Sequence, residues 1–164
     1  MNLKKTKPVA GQESVWDYPR PPLVESFKGH ISIELGGKTI VSTNRALRLL
    51  ETSHPPTYYL PIADFESGCL LATAKTSFCE FKGLARYYDV RFGVKKATQG
   101  AWAYPSPAKG YEMLKHHVAV YAHMVDACYV NDELVQAQEG DFYGGWITAG
   151  IVGPFKGAPG TWGW

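Results

Sequence analysis

Three observations predict a mainly β fold of the sandwich-like or open-barrel kind, with one or two short helices. Alternating apolar positions flank a Gly36-Gly37 pair, with His30-Ile31-Ser32-Ile33-Glu34-Leu35 before it and Lys38-Thr39-Ile40-Val41-Ser42 after it, the pattern of a hairpin. Short runs rich in β-branched and aromatic residues recur along the chain, each closed by glycine or proline. Helical spacing is clearest in one segment, Ala108 to His116, where Tyr111, Met113 and Leu114 can form one apolar side.

Residues 1–29 read as an arm. Pro8 to Pro22 is rich in proline and polar residues yet carries Val15, Trp16 and Tyr18, rings suited to docking on the body of the domain or on a second subunit. The domain proper is expected over residues 30–140. After the hairpin, Asn44 can cap a short helix over Arg45 to Glu51, and the same residues alternate well enough for a strand; seven residues leave both open. Pro55 and Pro56 end that element, and Thr57-Tyr58-Tyr59-Leu60 is a strand closed by Pro61. Ile62 to Gly68 reads as a turn, Leu84 to Phe92 as a strand, Gly93 to Gly100 as a polar loop, and Ala101 to Tyr104 as a strand broken by Pro105 and Pro107. His117 to Tyr121 and Ala127 to Val130 are strands, and Asn131-Asp132 is a turn from which Glu133 to Gln136 returns. Residues 141–164 hold Phe142, Tyr143, Trp146, Phe155, Trp162 and Trp164 among many glycines. Such a tail cannot build its own core and is expected to drape over the domain or a partner.

Composition narrows the function classes. At 164 residues the chain is one domain with room for a core. Aromatic residues make up 13% and charged residues 20%, which excludes a disordered module. A formal charge of +2, scattered along the chain, gives no footprint for nucleic acid. Apolar runs are too short to span a membrane, and the basic Lys4-Lys5-Lys7 cluster is not followed by the apolar run of a secretory signal. Cys69, Cys79 and Cys128 are odd in number and widely spaced, which fits a reducing cytoplasm rather than a disulfide framework.

The stretch from Lys75 to Tyr88 is where chemistry concentrates. Extended, it places Thr76, Phe78, Glu80 and Lys82 on one face and Cys79 with Phe81 on the other. Gly83 permits a turn or the close approach of a ligand to the backbone. Lys82 beside it is either an anion-holding point charge, a base or amine nucleophile, or a surface lysine at a strand end. Cys79 is either a nucleophile or an inert core thiol. The tripeptide Phe-Lys-Gly occurs at residues 27–29, 81–83 and 155–157 with unequal spacing. It is no structural period, but a recurrent aromatic anchor followed by a cation and a flexible turn. The histidines, including His54, His116, His117 and His123, show no metal spacing and read as structural or exposed.

Arg45-Ala46-Leu47 with Leu50-Glu51, Pro55-Pro56 with Tyr58-Tyr59-Leu60-Pro61, Thr76 to Gly83, Ala85 to Tyr88, and Trp102-Ala103-Tyr104-Pro105 resemble the family known as domain of unknown function 427, also labelled nucleotidyltransferase-like. The similarity spans about residues 30 to 132. It implies a β-tent, two antiparallel sheets leaning together, as in the cereblon ligand-binding domain and the B-type methionine sulfoxide reductases. The chain lacks the paired Cys-x-x-Cys motifs that hold zinc in many such proteins, so neither metal nor cofactor is expected. It also lacks a Walker-type loop and a Gly-Ser motif with paired aspartates, so the nucleotidyltransferase label carries little weight.

The motif positions that the resemblance singles out are rich in polar residues. The expectation is a pocket in which Lys82, Glu51 and Cys79 do chemistry while Arg45, Tyr59, Thr76, Tyr88 and Trp102 bind ligand. Lys82 and Arg45 would hold a carboxylate or phosphate, Trp102 would stack on a flat ring, and Glu51 would serve as base or merely pair with Arg45 or Lys82. The function expected is binding of a small anionic or aromatic metabolite, with or without catalysis. The alternative is a non-catalytic assembly module, a homo-oligomer formed through the aromatic arms, without nucleic-acid or membrane partners.

Overall fold

A strand puts neighbouring residues on opposite faces, so period-two alternation decides which side chains meet. The computed structural model describes residues 4–164, and the first three residues of the arm lie outside the described residues. Its strands are β1 Glu13–Ser14, β2 Leu23–Ser26, β3 Ile31–Leu35, β4 Lys38–Thr43, β5 Leu47–Leu50, β6 Thr57–Pro61, β7 Leu70–Cys79, β8 Gly83–Phe92, β9 Lys95–Ala103, β10 His117–Val120, β11 Ala127–Val130, β12 Glu133–Leu134, β13 Gln136–Ala137, β14 Trp146–Ile147 and β15 Ile151–Val152. Seven of them form an antiparallel sheet in the order β2-β5-β6-β10-β9-β8-β7, and four form a second in the order β12-β11-β3-β4. Two further pairs, parallel β1-β15 and antiparallel β13-β14, tie down the terminal segments.

The two large sheets share a core. Ile31, Ile33, Ile40 and Val41 from the smaller sheet meet Tyr58, Leu60, Val118 and Val120 from the larger, all buried. The β3–β4 hairpin closes at Leu35 opposite Lys38, with Gly36 and Gly37 at φ +63° and +80°, the left-handed pair that matches the twist of its flanking strands. Asn131 and Asp132 do the same for β11 and β12, at φ +48° and +67°.

Three segments resolve or correct the sequence reading. Residues 45–51 contain strand β5, flanked by β2 and β6, because Leu47 and Leu49 face one way while Arg48 turns the other way to bond Glu13 and Glu25. The expected helix over Ala108 to His116 shrinks to one 3-10 turn at Glu112–Leu114, since Gly110 at φ +94° and His116 at φ +67° break helical geometry on either side. Among the described residues the short helices are single 3-10 turns. The segment from Gly93 to Gly100, expected as a loop, is a two-residue turn at Gly93-Val94 followed by β9. Its alternation is hard to see because buried Ala97 is the one apolar side chain among Lys95, Lys96, Thr98 and Gln99. No helix among the described residues is long and apolar enough to cross a membrane.

The terminal segments pack on the sheets and on each other. Val15 is fully buried, and the Trp16 ring meets Trp164 edge-on at 5.5 Å. Trp146 enters the main core, 1% exposed, with its ring 5.3 Å from Tyr58 and its Nε1 donating to the Val120 carbonyl at 3.1 Å. Truncating so large a buried ring leaves a cavity and an unpaired carbonyl, so Trp146→Ala is expected to lower stability by about 3 to 5 kcal/mol in a denaturant titration. A loss below about 1 kcal/mol would show that the tail is not part of the cooperative unit.

Candidate functional site

The larger sheet has a second face, turned away from the smaller sheet. Leu47 and Leu49 on β5, Tyr59 on β6, Ala119 on β10, Trp102 on β9, and Ala85 and Tyr87 on β8 gather there. Register aligns them: Trp102 lies opposite Ala119 on one side and opposite Tyr87 on the other. Ala119, on the strand between Tyr59 and Trp102, contributes only a methyl group to that row. Over this floor sits a cavity of about 380 Å³. Its walls come from Glu51 and His54 after β5, from Cys79, Phe81 and Lys82 at the β7–β8 turn, and from Gln138, Tyr143 and Lys156 of the C-terminal segment.

Five of the eight residues singled out in the sequence line this cavity: Glu51, Tyr59, Cys79, Lys82 and Trp102. Lys82 and Cys79 share it despite their expected opposite faces. Strand β7 ends at Cys79, and residues 80–82 turn back toward Gly83, at φ +105°, which frees Lys82 from the alternation. The Lys82 ammonium stands 5.5 Å from the Tyr104 ring centre. Three residues lie elsewhere. Arg45 is exposed and holds Asp64 at 2.5 Å, which with Thr43 keeps that carboxyl below the usual range. Thr76 is exposed on the opposite face of β7, and Tyr88 packs against the core shared by the two sheets. Glu51 pairs with neither Arg45 nor Lys82; its carboxylate lies 3.8 Å from Arg20 of the arm.

The sequence reading misses Tyr87, Tyr104, Tyr121, His54, Gln138, Tyr143 and Lys156, which also line the cavity. Two signals point to part of this set. Tyr87 shares the face of Ala85 by period two, whereas Tyr88 does not. Lys156 belongs to the third Phe-Lys-Gly, and its ammonium stands 5.8 Å from the Tyr143 ring centre while donating to the main-chain oxygen of Trp164 at 3.3 Å. Two copies of one tripeptide thus deliver lysines to one cavity.

Burial fixes the protonation of several lining groups. Desolvation pushes the phenols of Tyr59, Tyr104 and Tyr121 well above their ordinary value, so all three remain neutral donors. Tyr59 is fully buried and its hydroxyl has no hydrogen-bond partner among the described residues. His54 is pushed down to about 4, first by burial and then by the positive charges of Lys156, Arg20 and Lys82.

The tail reaches the cavity because it can lie flat against the sheet. A Cβ on Gly144 would stand 2.0 Å from the Trp102 ring, so only glycine allows that approach.

The family described as domain of unknown function DUF427, NTP_transf_9, matches residues 23–131. The chain belongs to that family. The match runs from β2 to the turn after β11, so the floor of the cavity and its β7–β8 rim are DUF427 domain, while Gln138, Tyr143 and Lys156 lie beyond it. A comparison with curated proteins finds no match.

The lowered pKa of His54 makes the stability of this DUF427 protein depend on pH. The unfolded chain binds a proton at His54 below about 6.5, and the folded one resists doing so until about pH 4. Unfolded chains therefore hold more protons across that window, and stability falls as pH drops through it, by about 3 kcal/mol at most from this group. His54→Phe removes that part of the slope. Equal slopes for wild type and variant in unfolding titrations at a series of pH values would show that His54 titrates normally.

Proposed function

We propose that the chain binds a small molecule bearing an anionic group and a flat ring in the cavity over the second face of the larger sheet. The observation that carries this reading is Tyr59, a residue that lines the cavity and whose fully buried hydroxyl has no hydrogen-bond partner among the described residues. An orphaned buried hydroxyl costs about 1 to 3 kcal/mol, and a ligand acceptor would recover it. Lys82 and Lys156 supply positive charge for a carboxylate or phosphate. Trp102 and Tyr121, with ring centres 4.5 Å apart, offer an aromatic wall. Glu51 and Cys79 stand in the same cavity, as proton acceptor and nucleophile for any reaction there.

A second cavity, near Arg48, contrasts with this one. Its charges are spent within the chain, Arg48 bonding Glu13 and Glu25 while Tyr18 donates to Glu13 at 2.6 Å. Cys69, Cys79 and Cys128 are free thiols, which suits a reducing compartment such as the cytoplasm.

The test is a thermal-shift screen of carboxylates and phosphates, with and without an aromatic ring, against wild type, Lys82→Ala and Tyr59→Phe. Lys82→Ala is expected to weaken binding of a hit roughly tenfold to a hundredfold. Tyr59→Phe is expected to weaken binding while raising the stability of the unliganded protein by about 1 kcal/mol, because it removes a polar group that burial leaves unpaired. A Tyr59→Phe protein that is less stable and binds hits unchanged would sink this reading.

A second reading, assembly through the aromatic arms, rests on the exposed rings of Phe142 and Trp162, 73% and 72% accessible. Light scattering separates the two: Trp162→Ser is expected to turn an oligomer into a monomer if the arms assemble, and a wild-type chain already monomeric removes the idea.

A further inference from the structure

Gln138 is buried, 4% exposed, and each end of its amide is committed. Its Oε1 accepts from the Gly145 N–H at 3.0 Å, and its Nε2 donates to the Lys156 carbonyl at 2.6 Å. A backbone N–H only donates and a carbonyl only accepts, so these bonds admit one amide orientation. The remaining Nε2 hydrogen points at His54 Nδ1, 3.2 Å away, which must accept it. A neutral imidazole that accepts at Nδ1 carries its proton on Nε2. That nitrogen has no hydrogen-bond partner among the described residues, and His54 lines the cavity with Lys82, Lys156 and Tyr59.

We propose that Gln138 locks His54 as the Nε2–H tautomer, an uncharged donor aimed at the cavity, and that this donor selects ligands with an oxyanion acceptor at that position. The inference rests on the binding reading above and adds the residue pair that sets specificity. The groups facing His54 agree with it. Lys156, Arg20 and Lys82 are cations that oppose a second ring proton, the Tyr143 ring lies at 5.2 Å, and the Glu51 carboxylate is held near Arg20. Burial acts in the same direction. The neutral ring therefore donates to an anion without adding a third positive charge beside two lysines. Gln138, Tyr143 and Lys156 lie beyond the matched residues 23–131, whereas His54 lies within them, so the segment that follows the DUF427 domain orients a donor that the domain supplies.

The experiment is long-range proton–nitrogen correlation NMR of the full chain, with the His54 signals assigned by their loss in His54→Phe, followed by titration with benzoate and with phenyl phosphate. At neutral pH the expected spectrum has a protonated Nε2 and a bare Nδ1. Either probe that binds is expected to shift the Nε2 signal, and the one that binds more tightly tells whether the acceptor is carboxylate or phosphate. Gln138→Glu replaces the donor by an acceptor, so the ring proton is expected to move to Nδ1 and probe affinity to fall roughly tenfold or more. His54→Phe, which keeps a ring against Tyr143, is expected to lose affinity to a similar degree without that tautomer change. A proton on Nδ1 in the wild type overturns the inference even if the probes bind, and so does undiminished binding to His54→Phe. Failure of both probes to bind the wild type overturns the site reading and this inference with it.

Discussion

The seven-stranded sheet has two faces and the four-stranded sheet covers only one of them. Everything else in the structure follows from how the other face is closed. Alternation along β6 sends Tyr58 and Leu60 into the shared core and Tyr59 to the opposite side, and alternation along β9 does the same with Ala101, Ala103 and Trp102. A face that carries Tyr59, Trp102 and Tyr87 is too apolar to leave in water. The C-terminal segment and the β7–β8 turn fold over it. They close it incompletely, and the space between them and the sheet is the cavity.

Legibility in the sequence tracks how local the deciding interaction is. The two hairpins with left-handed turn residues are readable because Gly36-Gly37 and Asn131-Asp132 dictate their own backbone. Strand β5 stays ambiguous in sequence because its geometry is decided by pairing on both edges, with β6 just after it and with β2, distant along the chain. Strand β9 hides behind exposed lysines, and the segment around Tyr111 looks helical until Gly110 and His116 are seen in positive φ. The same rule sorts the site. Lys82 and Cys79 converge through a tight turn next to them, and Tyr59 and Trp102 through strand register. Arg45 sits just before β5, close along the chain to Glu51, yet Asp64 takes its guanidinium, and nothing near Arg45 in sequence names that partner.

Electrostatics in the cavity is a matter of which charges are already compensated. Arg48 is nearly enclosed, 15% exposed, and two glutamates answer it, so it behaves as a structural tie between β5, β2 and the arm. Glu51 has Arg20 at the edge of salt-bridge range. Lys82 has the Tyr104 ring beside it, and Lys156 has the Tyr143 ring and the main-chain oxygen of Trp164. A ring quadrupole stabilises an ammonium more weakly than an anion does, so the positive potential there survives. His54 reports it from within the same cavity, since both lysines contribute to keeping its imidazole neutral.

The tail explains why so much glycine is needed where so little secondary structure forms. Trp146 anchors it in the main core, β15 pairs it with the arm, and between β13 and Trp146 the chain must pass directly over Trp102. A side chain at 144 would push the backbone off the indole, and Gln138 and Tyr143 flank that point of contact. Gln138 in turn is oriented by Gly145 and Lys156, so the backbone path, the amide orientation and the His54 tautomer form one linked arrangement. Trp146 follows close behind Gly144, so the segment that walls the cavity is held in place by the same ring that anchors the tail in the core.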